Sequence, residues 1–112
     1  MKKIEAIIRP GKTNSVMVAL REMGYPGITI SEVEGHGKQK GITLQWRGRE
    51  YTKELLPKIK LELVVRNEDA EKILVAIVKA AQTGGIGDGK IFVYDVVDAV
   101  RIRTDERGDD AV

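Results

Sequence analysis

The chain has 112 residues, a formal net charge of +2 and no cysteine. This length allows one domain that buries a sizeable core without metal or disulfide staples, and the missing cysteines exclude a disulfide framework, thiolate catalysis and a Cys-ligated metal site. The small net charge gives no support for nucleic acid binding, which requires a concentrated basic surface.

The first predicted elements are a strand over residues 2–9, a helix from about Thr13 to Gly24, and a second strand over residues 28–35. Apolar residues alternate in the strands and recur at helical spacing between them. Glu5 and Arg9 interrupt the N-terminal apolar run, which therefore lacks the core of a signal peptide. No transmembrane span is expected either, and we expect a cytoplasmic protein.

The second half repeats this order after an irregular stretch. Residues 38–56 show no clean period, which in a compact domain indicates a functional or mobile loop. A strand is predicted from Ile59, then a helix capped by Asn67 and ending near Ala81, then a long strand over residues 90–103. The order predicts an α+β ferredoxin-like βαββαβ plait, with an antiparallel sheet and both helices on one face.

The predicted sheet is apolar on both faces, because Ile7, Val64, Phe92 and Tyr94 fall on the side that the helices leave open. Such a sheet usually has a partner, and we expect the chain to form oligomers through it. The whole chain, residues 1–112, is interpreted as a single domain that ends in an acidic tail over residues 104–112.

Nothing in the sequence favours an enzyme. With His36 as the one histidine, neither a Ser-His-Asp system nor a histidine metal cluster can be assembled within the chain. A small acylphosphatase-like hydrolase and an RNA-binding plait stay open as alternatives. Phe92 and Tyr94 share one face of the last strand, as base-stacking aromatics do, but the third strand of the plait has no aromatic residue.

The stretch "GIGDGK", residues 85–90, is an anion-site candidate. It is not a P-loop, because a helix precedes it, a strand follows it, and Ile91 stands where Ser or Thr would hold Mg²⁺. Its glycines can let backbone N–H groups converge on an oxyanion beside Lys90, although a plain helix-to-strand turn explains them equally well. Arg101 and Arg103, two apart on the predicted strand, would share a face and bind phosphate oxygens.

A second glycine-lysine stretch, "GHGKQKG", opens the irregular loop. Lys38 and Lys40 alternate with glycines there, and Gln39 offers a neutral oxygen that could join a Mg²⁺ shell. The two stretches together with the arginine pair predict a polyphosphate ligand.

The residues quoted so far, with "TGGIGDGKIFV" (83–93), "RGREYTKELLPKIKLE" (47–62) and "EGHGKQKG" (34–41), resemble the PII nitrogen-regulatory signal proteins of the GlnB and GlnK family. The resemblance extends from Met1 to about Thr104. It implies a homotrimer that binds ATP or ADP in clefts between subunits, with Mg²⁺ and 2-oxoglutarate as further effectors, and that binds no nucleic acid.

The resemblance also implies roles for individual residues. The phosphates would be bound by Gly87, Asp88, Gly89 and Lys90, with Gly37, Lys38, Gln39, Arg101 and Arg103. The adenosine part would be lined by Thr29, Gly35, Glu62 and Val64. The residues implied for 2-oxoglutarate are Arg9, Gln39, Lys40, Gly41 and Lys58, of which Gln39 would also complete the metal shell.

The output implied by the resemblance is the family's T-loop, residues 38–56. In GlnK-type members this loop closes an ammonium transporter, which would be the only link to a membrane, and Arg47 matches the residue that enters the pore. Tyr51 matches the site modified by a uridylyltransferase, and other nitrogen-metabolism regulators are implied as partners. Trp46 and Arg49 depart from the family pattern, and Arg49 excludes serine phosphorylation at that position.

Overall fold

The structure is a computed structural model that describes residues 1–25, 27–37, 42–46, 49–53 and 55–112, with the backbone alone described for 42–46 and 49–53. Several predicted positions lie outside this description: Lys38, Gln39, Lys40, Gly41 and Arg47, and the side chains of Trp46, Arg49 and Tyr51. Within the described ranges, no helix has the length and apolar character needed to cross a membrane.

The described residues form six strands and two α-helices. In chain order these are β1 (Lys2–Ile8), α1 (Thr13–Glu22), β2 (Thr29–Gly35), β3 (Ile42–Trp46), β4 (Arg49–Lys53), β5 (Leu56–Val65), α2 (Asn67–Ala81) and β6 (Gly89–Asp95). A short 3₁₀ turn over Pro10–Lys12 precedes α1, and another over Gly108–Ala111 lies near the C-terminus.

The main sheet has the strand order β2-β5-β1-β6, and every neighbouring pair is antiparallel. Strand β1 lies between β5 and β6, so that Ile8 faces Ile59 on one side and Gly89 on the other. This arrangement confirms the predicted ferredoxin-like plait.

The core lies between the sheet and the two helices. Alternation along β1 and β5 turns one face of each strand inward, and α1 and α2 cover that face with residues at helical spacing. Burial of each large aliphatic side chain contributes about 1.5–3 kcal/mol. The buried cluster consists of Ile4, Ala6, Ile8, Val16, Leu20, Leu61, Leu63, Val65, Ile73, Ile77 and Ala81.

The stretch predicted as irregular contains a second, two-stranded sheet, in which β3 and β4 pair antiparallel with Ile42 opposite Lys53 and Trp46 opposite Arg49. The apolar alternation of Ile42, Leu44 and Trp46 covers only five residues, which is too short to give a clear period. Strand β5 also begins at Leu56, three residues before the predicted start at Ile59.

The prediction of one long strand over residues 90–103 is wrong beyond Asp95. Strand β6 ends there because its neighbour β1 begins at Lys2, which lies opposite Asp95. The Val96 N–H donates to the Met1 carbonyl at 3.2 Å, and no strand neighbour continues past that point in the described part of the chain.

Arg101 and Arg103 therefore lie in a C-terminal turn, and the prediction that strand alternation places them on one face is wrong. The turn is closed by the Arg101 N–H, which donates to the Glu106 carbonyl at 2.8 Å, while Asp105 adopts a left-handed φ of 61°. Asp tolerates this conformation better than most residues.

Helix α2 begins one residue earlier than predicted, because Asn67 was expected at the N-cap and is instead helical. Arg66 occupies the N-cap position and makes no side-chain capping hydrogen bond, while Asn67 is the first helical residue. Glu68 and Asp69 lie in the first turn, where the helix dipole favours negative charge.

Candidate functional site

A cavity of about 510 Å³ lies where β2 ends, β5 begins and the segment before β6 turns back toward β1. It is lined in part by residues predicted from both glycine-lysine stretches. Seven of the predicted site residues meet there: Gly35, Gly37, Lys58, Gly87, Asp88, Gly89 and Lys90.

The segment between α2 and β6, residues 82–88, is called the glycine loop below. The carboxylate of Asp88 closes it by accepting hydrogen bonds from the Thr83 hydroxyl and from the backbone N–H groups of Thr83 and Gly84, the last two at 2.8 and 2.9 Å. These bonds, first of all those from Thr83, hold the pKa of Asp88 far below its usual range. The loop therefore contains a fixed negative charge that its own donors satisfy.

Arg9 follows β1 and reaches across to the glycine loop. Its Nε donates to Asp88 Oδ1 at 3.1 Å and its Nη2 donates to the Ile86 carbonyl at 2.8 Å. A guanidinium can make both contacts because its donors form a rigid fork. Arg9 was predicted only as a 2-oxoglutarate residue. Its contact with the glycine loop joins residues more than seventy positions apart in the sequence, so no local sequence pattern predicts it.

Glycine is required where the loop enters β6. Gly89 has a φ of +101°, and a Cβ atom there would lie 1.7 Å from the Ile7 carbonyl oxygen. Gly87 also has a left-handed φ, of 104°. These two glycines let the backbone turn sharply and lie directly against β1, which gives a steric reason for part of the motif.

Lys58 faces the same cavity from β5. Its Nζ donates to the Gly87 carbonyl at 3.1 Å. Burial lowers the pKa of Lys58 and the nearby charge of Arg9 lowers it further, whereas Asp88 acts in the opposite direction. A Cβ atom on Gly35 would lie 3.3 Å from Lys58 Cγ, so that glycine leaves room for the lysine stem.

Of the residues predicted for adenosine, Gly35 lines the cavity, and Thr29, Glu62 and Val64 lie further along the sheet. Thr29 is opposite Glu62 in the register of β2 and β5, and Glu62 forms an ion pair with Lys3 at 3.1 Å. Lys58, Glu62 and Val64 are an even number of residues apart on β5 and so share one face. Along the strand, Lys58 and Glu62 are about 13 Å apart.

The C-terminal turn lies apart from the cavity. Arg101 Nη1 forms an ion pair with Glu106 at 3.0 Å, and neither Arg101 nor Arg103 is among the described residues that line the cavity. The predicted site is thus divided within one chain into the cavity, the sheet face near Glu62, and this turn.

The cavity suits an anion better than a metal ion bound by the protein alone. Lys58 and Lys90 line it, and Arg9 neutralises the one carboxylate of the glycine loop. Among the residues that the structure describes, no group of three His, Cys, Asp or Glu side chains could hold a metal. A metal at this site would need oxygens from its ligand.

The aromatic residues considered for RNA stacking lie on β6, at the edge of the sheet. The Tyr94 hydroxyl donates to a Glu5 carboxylate oxygen at 3.1 Å, which places an acidic group beside the ring. The central strand β5 has no aromatic residue, as the sequence indicated.

Comparison with known proteins gives consistent matches over the whole chain. The family model described as nitrogen regulatory protein P-II matches residues 1–106. Among curated relatives, the nitrogen regulatory protein P-II of Rhodospirillum rubrum is 56% identical over 112 residues, with 100% of both chains covered. That of Rhizobium meliloti is 55% identical with the same coverage. The nitrogen regulatory protein P-II 2 of Methanothermobacter thermautotrophicus is 54% identical, over 100% of this chain and 97% of its own.

Proposed function

The chain belongs to the P-II family of nitrogen regulatory proteins, and from this premise we propose that it senses ATP, ADP and 2-oxoglutarate and transmits their levels to its targets through residues 38–56. Proteins of this family are signal-transduction regulators of nitrogen metabolism and are not enzymes, so the hydrolase alternative is set aside. The RNA-binding alternative is set aside as well, because Phe92 and Tyr94 lie on the edge strand with the Glu5 carboxylate beside Tyr94.

The cavity between β2, β5 and the glycine loop is the observation that carries this proposal. It brings a backbone rich in glycine to the same space as Lys58 and Lys90, and its only loop carboxylate among the described residues is neutralised by Arg9. A polyanion bound there would meet cations and backbone donors, with the charge of Asp88 already compensated.

In this proposal the phosphates of ATP or ADP are bound by Gly87, Gly89 and Lys90. The face of β5 that continues from Lys58 to Glu62 and Val64 supports the assignment of the adenosine part, since it provides a continuous surface about 20 Å long. Gly37, Lys38, Arg101 and Arg103 would complete the phosphate site, the two arginines from a neighbouring subunit.

The same proposal assigns 2-oxoglutarate to the Lys58 side of the cavity. Lys58 would pair with its distal carboxylate beside Arg9, and Gln39, Lys40 and Gly41 would lie around the rest of the molecule. When bound, Mg²⁺ would supply positive charge between the nucleotide and 2-oxoglutarate. Gln39 would add a neutral oxygen, which avoids adding another negative charge near two anions.

A neighbouring subunit is part of this proposal, because the resemblance implies a homotrimer with sites between subunits. Ile102, between the two arginines of the C-terminal turn, is 96% exposed in the single chain, and Phe92 is about half-exposed on the open sheet face. Contact with another copy would cover such apolar surface.

Residues 38–56 form the proposed output. Bound effectors would favour one arrangement of this segment and so select which target is bound. An ammonium transporter that receives Arg47 is the target implied by the family resemblance, and Tyr51 is the implied site of a uridylyltransferase.

Calorimetric titration of 2-oxoglutarate with Mg-ATP, with Mg-ADP and without nucleotide tests the proposal. We expect binding heat with Mg-ATP alone, because ADP lacks the terminal phosphate oxygens that help to hold the metal. The variant Lys58→Met should lose 2-oxoglutarate binding and keep ATP binding. Heat in all three titrations, or in none, would refute the sensor mechanism.

A further inference from the structure

The glycine loop has an internal network of hydrogen bonds around the Asp88 carboxylate. The two oxygens of the Asp88 carboxylate each accept two hydrogen bonds. Oδ1 accepts from Arg9 Nε and the Thr83 hydroxyl, and Oδ2 accepts from the backbone N–H groups of Thr83 and Gly84. The carboxylate is therefore saturated inside the loop.

This geometry is unfavourable for direct contact between Asp88 and a phosphate. A carboxylate turned toward a phosphate would repel it, and turning Asp88 outward would break up to four hydrogen bonds, all of them charge-assisted. The negative charge instead organises the donors of its own loop.

The network also joins the loop to the sheet. Arg9 follows directly after β1 and binds the loop at two points, Asp88 and the Ile86 carbonyl. At the next residue, Gly89, the chain lies against the Ile7 carbonyl and enters β6. The backbone of residues 87–90 is thus fixed relative to β1 from both sides of the loop.

We propose that Thr83 and Asp88 are positioning residues for the nucleotide phosphates, and that Arg9 ties this pair to the sheet. They act through the backbone of Gly87, Gly89 and Lys90 and do not themselves touch the phosphates. This inference rests on the proposed function, because it assumes that the cavity beside the loop takes a nucleotide.

The test uses the Thr83 hydroxyl, which can be removed without changing the size of the side chain. ATP affinity is measured by calorimetry for the wild type, Thr83→Val and Thr83→Ser. If the phosphates require an ordered glycine loop, loss of a hydrogen bond to the charged Asp88 should weaken ATP binding about tenfold. Thr83→Val should therefore bind ATP about tenfold more weakly, whereas Thr83→Ser, which keeps the hydroxyl, should stay within about twofold of the wild type.

The matched control is Thr13→Val, which removes a hydroxyl that donates to the Pro10 carbonyl at 2.8 Å before α1. It should leave ATP affinity unchanged. Thermal unfolding of all four proteins identifies any variant that weakens binding merely by unfolding. ATP affinity of Thr83→Val equal to that of the wild type would overturn the inference, as would failure of Thr83→Ser to restore it.

A second measurement on the ligand-free protein separates failure of this inference from failure of the proposed function. Amide hydrogen exchange at Gly84, whose N–H donates to Asp88, should be faster in Thr83→Val than in the wild type. If the wild type binds no ATP, the nucleotide proposal fails and phosphate positioning fails with it. If the wild type binds ATP and Gly84 exchanges equally fast in both proteins, the nucleotide proposal stands and the role of Thr83 is refuted.

Discussion

At the scale of single residues, Gly89 is where one added methyl group has the most direct effect. A Cβ atom would lie 1.7 Å from the Ile7 carbonyl oxygen, and the φ of +101° disfavours any L side chain. We expect Gly89→Ala to lower the free energy of unfolding by about 2–4 kcal/mol, because both the backbone of β1 and the loop must shift.

Urea unfolding followed by circular dichroism measures this change. Gly11→Ala is the matched control, since its added Cβ meets nothing within 4 Å. It should change stability by less than about 1 kcal/mol. Equal stability of Gly89→Ala and the wild type would contradict the close approach between Gly89 and β1.

The Asp88 carboxylate predicts an acid-dependent contribution to stability. Its pKa is held below the usual value by Thr83, Gly84 and Arg9, so the folded state binds the proton less tightly than the unfolded state does. The stabilisation is complete above the unfolded pKa of about 3.9 and is lost as the pH falls toward the lower folded pKa.

Asp88→Asn is therefore expected to be less stable than the wild type at pH 7, and the difference should shrink once the pH falls below about 4. Urea midpoints compared between pH 7 and pH 3 measure it. A difference that stays constant over this range would mean that the ionised carboxylate does not stabilise the loop.

The sequence predicts residues of the site whose pattern is local, and it does not predict contacts between residues that are far apart in the chain. The glycine spacing and Lys90 are local features, and they correctly indicated a sharp turn with cations beside it. The hydrogen bonds from Arg9 to Asp88 and from Lys58 to Gly87 join residues far apart in the sequence. Only the register of β1 with β5 and β6 brings those side chains together.

At the scale of elements, helix α2 shows a sharp contrast between its two faces. Ile77 is 1% exposed in the core and Val75 is 57% exposed on the outer side. We expect Ile77→Ala to cost about 2–5 kcal/mol, because the surrounding core cannot fully close the cavity. Val75→Ala on the same helix should change stability by less than about 0.5 kcal/mol.

Chemical unfolding of the two variants under identical conditions tests this contrast. Similar losses for both would show that the helix is rotated relative to the sheet. The 3.6-residue stripe of α2 correctly predicted Ile73, Ile77 and Ala81 as buried, and the alternation in β1 predicted its inner face, because both patterns are properties of the segments themselves. Val78, which belongs to the same predicted stripe, is 46% exposed.

The end of β6 could not be predicted in the same way. Val96, Val97 and Val100 continue the apolar character of the strand, and nothing local stops it. The strand ends because β1 provides no partner before Lys2, which is a property of the sheet. The sequence analysis did not predict β3 and β4. Each of these strands has only five residues, and the apolar alternation over five residues is too short to identify a strand.

At the scale of the whole molecule, the C-terminal turn tests the proposed assembly. Ile102 is 96% exposed in the single chain and lies between two arginines that the proposal assigns to a neighbour's site. If a second copy covers it, Ile102→Glu should shift the protein from a trimer toward monomers, because a carboxylate would be buried against an apolar surface.

Sedimentation velocity measures the mass of each species, to be compared with 12.4 kDa for one chain. Val75→Glu is the control, since it adds the same acidic group on the outer face of α2 and should leave the assembly unchanged. A monomeric wild type would refute the trimer itself, whereas a trimeric Ile102→Glu would exclude Ile102 from the contact.

Strand β3 also contains the only tryptophan of the chain, Trp46. When the indole ring is excited selectively, the intrinsic fluorescence therefore arises from the β3–β4 hairpin alone, and no added label is needed. Since this hairpin lies within the proposed output segment, a titration in a fluorimeter can follow that segment directly while an effector is added.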